Sequence, residues 1–508
     1  MTDSIIKRSV ASFFLTLLRA LVTFVTSTLL ARFLGPVDYG DMIFLIASFT
    51  AIKTFLDANS SSAFYTFLSE KRKSSLFIFK YLLWVLIQPL IIGLFIFVIS
   101  PEELIEVIWH QESRPLVFFA FVAVFFQNTI WQIASDILNA SRETIRLQKY
   151  HLTLVLVHLI VIFSLWQFDV LSVYLVFLAI AIEWFIAALV VSRFFSLGDL
   201  RKINFSTEPV FKKYLNYCLP IIPIVIISFL SEFLERWMLQ NWSGSEQQAF
   251  YGIGLQYSAL LIIPTGAVLR IFWKEISELN IEQKFDEMNE VFHSFVYILF
   301  FIGVLILGFF IFWLENLLDF FIGEKYANAL LPMTILMFYP ITQSMGQLGL
   351  SFLLAVKKSK VYSTFQAIFQ PLGLVFAFFL ISPSDLFYGL DMGASGLAIK
   401  TVLVNFLLVN ILIYYISKIY DWKYSFSYQF IGIIVALTIG WFSKNLAGFL
   451  LQDSGQWVQF IFSAIVYFSV SLPLLIFLIN RTTNISFNLM TEIKKIFYKK
   501  SFSNIDSK

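Results

Sequence analysis

The sequence predicts an all-α protein that crosses a membrane many times, and three observations predict it. Of 508 residues, 59% are hydrophobic and 14% charged, with mean hydropathy +0.80, whereas a soluble globular chain carries roughly 25% charged residues. Fourteen apolar runs recur from end to end, each of the roughly twenty residues needed to cross about 30 Å of hydrocarbon. Lys and Arg then alternate between the segments joining those runs, rich in one set and poor in the next. This combination excludes soluble enzymes and disordered, collagenous or disulfide-rich secreted chains.

The first run follows Lys7 and Arg8 and continues to Leu34. It is too long for a signal-peptide core and lacks a small-residue cleavage site, so it reads as the first span. The expected spans are 10–34, 41–68, 76–99, 115–140, 150–168, 171–196, 214–241, 248–272, 291–314, 328–356, 361–381, 393–417, 426–447 and 457–479. With the N-terminus inside, 28 of the 36 basic residues fall in inner segments. Four lie at the outer edges (Arg32, Arg114, Lys325 and Lys444) and four inside spans. A miscounted span would invert every later loop, and none is inverted. Both termini are therefore expected in the cytoplasm.

The outer loops are short. One carries Glu102, Glu103, Glu106 and Glu112, read as a solvated acidic loop rather than a divalent-metal site. Cys218 is the single cysteine, so neither an intramolecular disulfide nor a Cys-rich metal site is available. No phosphate loop, HExxH or GxSxG occurs, and four scattered histidines suggest no metal centre. His151 and His158, seven apart, share a helix face and are read as core packing near the interface. No enzymatic chemistry, cofactor or nucleic-acid partner is expected.

The chain also looks duplicated. LLARFLGPVDYGDMIFL (29–45) is echoed by MLQNWSGSEQQAFYGIGL (238–255), each with a turn glycine (Gly35, Gly244) before a Tyr-Gly pair (Tyr39-Gly40, Tyr251-Gly252). A second echo links 134–150 to 349–362. Both offsets are about 210 residues, placing the boundary in a basic linker. The expected organisation is a six-helix lobe at 1–197, the linker at 198–213, a second six-helix lobe at 214–418, two additional helices within 424–480 and a basic tail at 481–508. Six spans per repeat make the repeats parallel, an arrangement associated with alternating-access transporters and here expected as two lobes around a central cavity.

The LARFLGPVDYG turn, the Tyr-Gly pair, the small-residue helix start DMGASGLAIK (391–400) and the fourteen-span plan resemble the polysaccharide transporter family. That family belongs to the multidrug/oligosaccharidyl-lipid/polysaccharide exporter superfamily and includes the Wzx-type O-antigen flippases of lipopolysaccharide synthesis. The resemblance covers nearly the whole chain. It implies flipping of an undecaprenyl-diphosphate-linked oligosaccharide across the bacterial inner membrane, among membrane lipid, with a polysaccharide polymerase and chain-length machinery as further partners. Two other readings compete. A cation-coupled multidrug exporter of the same superfamily usually manages with twelve spans. A membrane-embedded glycosyltransferase or polymerase, for which Asp38 or Asp41 would supply the acid, resembles proteins with large outer loops.

The four bases inside spans are Arg19, Lys53, Arg236 and Lys400. Each costs about 2.5–3.5 kcal/mol at a helix centre on insertion scales, so each should face a partner or a cavity. Lys53 with Asp57, and Glu232 with Arg236, are four apart on one helix face, which suits a structural pair as well as a ligand. Arg19 and Lys400 have no such neighbour, and Glu183 or Asp136 on other helices are the partners a structural reading would use. Arg19 and Arg236, on equivalent spans, are expected to face each other. The functional reading makes all four bases the cavity cations that offset desolvation of a lipid diphosphate. Asp57, Glu183, Glu232 and Glu235 are then the acids that pair with them or carry a coupling proton or sodium ion.

Overall fold

The computed structural model describes residues 2–70, 75–109, 112–140, 143–192, 210–262, 265–385 and 388–483. Residues 198–209 of the expected linker and 484–508 of the basic tail lie outside them. The described chain is helical, without strands. Contacts divide it into two compact units. One comprises Met1–Leu260, Leu317–Leu336 and Ser363–Val404, and the other Leu261–Asn316, Met337–Tyr362 and Asn405–Lys508. This partition follows packing rather than the sequence echo, since both expected lobes contribute helices to the first unit.

The first unit opens with α1 (Thr2–Leu34) and α2 (Pro36–Asp57). Gly35 joins them at φ 81° and ψ 173°, a backbone that glycine adopts without a Cβ penalty, and Pro36 is preset for the first helical turn. The expected span 41–68 is two helices, because Ala58 and Asn59 are both left-handed (φ 46° and 64°) before α3 (Ser60–Glu70). Next come α4 (Ser75–Leu94), which runs into a π-helical turn at Phe95–Ile99, then α5 (Glu102–Ile108), α6 (Arg114–Ala140), α7 (Thr144–Gln167) and α8 (Val173–Ser192). Beyond the linker lie α9 (Val210–Cys218), α10 (Ile222–Met238) and α11 (Ser245–Ile262). Gly244, before α11, has φ 88° and ψ 172°, so the two echoed turns share one backbone geometry. Helix α6 packs on α8 and α2, α1 on α7, and α10 on α2.

Helices α12 (Thr265–Ile281) and α13 (Phe285–Phe310) belong to the second unit. The boundary passes through α14 (Leu314–Phe321), α17 (Ser359–Ile381) and α18 (Gly393–Ile419), while α15 (Leu330–Leu336) lies in the first unit and α16 (Tyr339–Ala355) in the second. The chain ends its described part with α19 (Ser427–Leu450) and α20 (Gln456–Thr483). These two pack on each other and on α13. A Cβ on Gly440 would overlap the Gly308 carbonyl oxygen, so small residues let α19 and α13 approach closely.

Among the described residues, eleven helices are long and apolar enough to cross a membrane: α1, α2, α4 with its π turn, α6, α7, α8, α13, α17, α18, α19 and α20. Of the other three expected spans, 214–241 and 328–356 are each divided into shorter helices, and 248–272 contains α11 and the start of α12 on either side of two residues outside the described ones. Prolines mark the two divisions: Pro220 and Pro223 beside the α9–α10 break, and Pro340 in the first turn of α16. Proline has no amide hydrogen and its ring clashes with the preceding turn. Such breaks persist at membrane depth where protein or an aqueous cavity satisfies the freed backbone.

Candidate functional site

All eight charged residues singled out in the sequence lie in the first unit; six of them fall in two neighbourhoods, and Lys53 and Asp57 are on α2. The first is built on α1, α6, α7 and α8. Arg19 Nη1 donates to His151 Nδ1 at 2.7 Å, and its guanidinium lies 5.8 Å from the Trp131 ring centre. His151 in turn lies against Trp131, the ring centres 3.7 Å apart and the planes tilted by 39°, and meets Trp184 edge-on at 5.9 Å. An Arg is always charged and donates only, so the accepting imidazole is neutral and carries its proton on Nε2. Arg19 therefore keeps a full positive charge with a neutral partner. Glu183 is bonded to His158 Nδ1 at 2.9 Å, not to Arg19. The histidine face is thus a polar one, each ring bonding a charged group on another helix, rather than packing alone.

Lys53 and Asp57 form no ion pair. Asp57 instead accepts from Ser60 Oγ at 3.0 Å and from Ser61 Oγ at 2.7 Å. Because α2 ends at Asp57, its carboxylate caps the following helix, as short acidic side chains do at helix starts. Asp136, buried on α6, accepts from Gln132 at 3.0 and 3.1 Å.

The second neighbourhood is built on α10, α11, α17 and α18. Lys400 is ion-paired with Glu235, rather than with Glu183 or Asp136, and its stem lies over Gly373, whose added Cβ would come within 2.9 Å of Lys400 Cε. Arg236 makes no ion pair with Glu232. Its guanidinium lies 4.5 Å from the Tyr251 ring centre, and Nη1 is buried without a hydrogen-bond partner. Tyr251 holds its hydroxyl against Thr401 at 2.8 Å, and Glu232 lies within the field of Glu235, Arg236 and Lys400. No hydrogen bond, ion pair or ring contact joins Arg19 to Arg236. Of the four span bases, Lys400 is the one paired with a carboxylate.

The neutral residues that hold the charges are His151, Trp131, Tyr251 and Thr401; of these, Trp131 and Thr401 carry no signal in the sequence, and His151 is marked there without its partner. The Tyr-Gly echo did mark Tyr251. At the other end of that echo, Tyr39 bonds Ser27 at 2.9 Å and Gln256 at 3.1 Å. Asp41 accepts from Gln240 at 2.8 Å and from Ser245, tying α2 to the start of α11. In the loop before α6, burial first, then the charges of Asp41 and Asp38, push the Glu112 carboxyl up to about 7. Among the described residues no group of three or more His, Cys, Asp or Glu is arranged to hold a metal ion.

A sequence profile of the polysaccharide biosynthesis protein family matches residues 5–269. No curated protein matches the chain at a significant level. Among solved structures, the chain is similar to the lipid II flippase MurJ in an inward closed conformation, with 16% identity, TM-score 0.64, and 91% of this chain and 97% of that one covered. It is also similar to a multidrug resistance MATE family transporter of the MOP superfamily, inward-facing, with 14% identity, TM-score 0.61, and 79% and 94% covered. A third is a MOP superfamily transporter from Pyrococcus furiosus, with 14% identity, TM-score 0.54, and 81% and 94% covered. At such identities the likeness establishes a shared fold.

Proposed function

The chain belongs to the polysaccharide biosynthesis protein family, and on that premise we propose that it is a flippase. Its substrate is an undecaprenyl-diphosphate-linked oligosaccharide, carried from the cytoplasmic to the periplasmic leaflet of the bacterial inner membrane by alternating access and coupled to a proton or sodium ion. Fourteen spans with both termini cytoplasmic complete the reading. The fold shared with transporters supports transport rather than catalysis.

The observation that carries the reading is Arg19, a permanent cation in an apolar helix whose partner, His151, is neutral. Its remaining donors match two phosphate oxygens at once, and a diphosphate entering low dielectric needs such compensation. Arg236, with Nη1 unbonded, is the second cation for the same anion further along the path. Lys53 and the paired Lys400 contribute to the field, while Asp57, Glu183, Glu232 and Glu235 remain the candidates for the coupling ion.

The test is surface-polysaccharide display in a deletion strain, normalised to membrane abundance. Arg19→Lys, which keeps the charge but loses the fork, is expected to retain partial display. Arg19→Gln should lose most of it and Arg19→Glu nearly all. Because Glu183 is engaged by His158, adding Glu183→Arg to Arg19→Glu should not restore display. Rescue by that reversal, or full display with Arg19→Gln, would remove Arg19 from the substrate path.

A further inference from the structure

We propose that His151 is the positioning residue of the diphosphate site: neutral, it holds the Arg19 guanidinium, and protonated, it changes from acceptor to donor and joins Arg19 on the lipid-linked diphosphate. This rests on the flippase reading and adds to it a named proton carrier at the point of substrate entry.

The geometry sets the first state. The 2.7 Å bond runs from Arg19 Nη1 to His151 Nδ1, and only an unprotonated nitrogen accepts it. Trp131 at 3.7 Å and Trp184 at 5.9 Å hold the imidazole on two sides, so the ring has a fixed place from which to aim the guanidinium. A protonated His151 in that place would set two cations against each other with no acceptor between them. The groups around it do not relieve that repulsion. Helix α1 presents Arg19, α6 presents Trp131, and α8 presents Trp184. The nearby carboxylates are engaged elsewhere, Asp136 by Gln132 and Glu183 by His158. On α7 itself, Lys149 and Arg146 precede the histidine, Arg146 being paired with Glu143.

An anion placed against Arg19 reverses the balance. A diphosphate draws off the guanidinium, frees Nδ1 and supplies the negative charge that makes a proton there favourable. Anion binding and proton uptake then strengthen each other by the same factor, as linkage requires. With α7 entering the membrane from the cytoplasmic side, as proposed from the basic loops, His151 stands near the depth of a headgroup in the inner leaflet.

The experiment is equilibrium binding to the full chain in lipid nanodiscs, from pH 8 down to pH 6. The probe is a short polyprenyl diphosphate esterified with one N-acetylglucosamine, so that neither phosphate titrates in this range. Wild-type affinity should rise on acidification by about tenfold, the scale of one charge-assisted hydrogen bond. His151→Asn, with Oδ1 near the place of Nδ1 but no proton to gain, should show no rise in affinity between pH 8 and pH 6. His151→Gln is the second such variant should the Asn protein fail to fold. His151→Leu should bind more weakly throughout. A wild-type pH slope in the Asn or Gln variant, with Arg19→Gln unable to bind, would overturn this inference alone. Undiminished binding by Arg19→Gln would overturn the site itself. Inorganic diphosphate should compete poorly, and competition at equal concentration would assign the site to a free anion rather than to a lipid headgroup.

Discussion

At the scale of single residues, the sequence locates charges but not their partners. Arg19, Lys53, Arg236 and Lys400 stand out because ionic groups are rare in apolar helices. Which acid neutralises which base depends on helix rotation and side-chain reach across packed helices. Neighbours four apart, Lys53 with Asp57 and Glu232 with Arg236, share a face and still do not pair: Asp57 caps α3, and the Arg236 guanidinium lies over the Tyr251 ring. His151 was visible but gave no sign of its direction. The Lys400–Glu235 pair carries its own prediction. Removing one member of this largely, not fully, buried pair strands the other charge, at a cost that approaches the roughly 3–5 kcal/mol of a fully buried pair. Lys400→Ala should therefore lower the melting temperature of the purified protein, and the reversal Lys400→Glu with Glu235→Lys should recover most of it. Unchanged stability together with lost transport would make Lys400 a substrate contact instead.

Among the elements, long uninterrupted apolar periodicity was readable, and eleven helices follow it. The interrupted spans 214–241 and 328–356 were readable only as continuous runs, since Pro220, Pro223 and Pro340 lower hydropathy too little to split them while removing the amide that continuity needs. The echoed motif proved informative because its glycines do specific work. Gly35 and Gly244 adopt matching positive-φ turns, and Gly40 lets α2 lie against the start of α11, where an added Cβ would overlap the Ser245 carbonyl oxygen. Gly40→Ala should therefore force α2 away from α11, with an overpacking cost of about 1–3 kcal/mol, and disrupt the Asp41 bonds to Gln240 and Ser245. The expected result is lower membrane abundance and reduced polysaccharide display. Gly448→Ala, where an added Cβ meets nothing within 4 Å, is the matched control. Equal behaviour of the two variants would show that the α2–α11 approach is not required.

For the whole molecule, the membrane class comes from hydropathy, a signal that survives imprecise span ends, and the expected orientation from basic-loop asymmetry. The grouping of helices into contact units was not readable, because it depends on how helices pack across the chain, which short sequence echoes do not report. Arg19, Arg236 and Lys400, spread over nearly four hundred positions, belong to one unit, which places the charge-bearing helices of both halves in the same packed body. Lipid-linked oligosaccharide transport is most directly tested by reconstituting the purified chain into proteoliposomes. A fluorescent undecaprenyl-diphosphate oligosaccharide loaded in both leaflets is then exposed to a membrane-impermeant quencher. Wild-type vesicles should lose nearly all fluorescence as the inner-leaflet pool is brought out, whereas vesicles with Arg19→Gln should stop at about half, like protein-free vesicles. Quenching that stops at half with the wild-type chain in either imposed proton or sodium gradient, or complete quenching with Arg19→Gln, would contradict a flippase working through this cation.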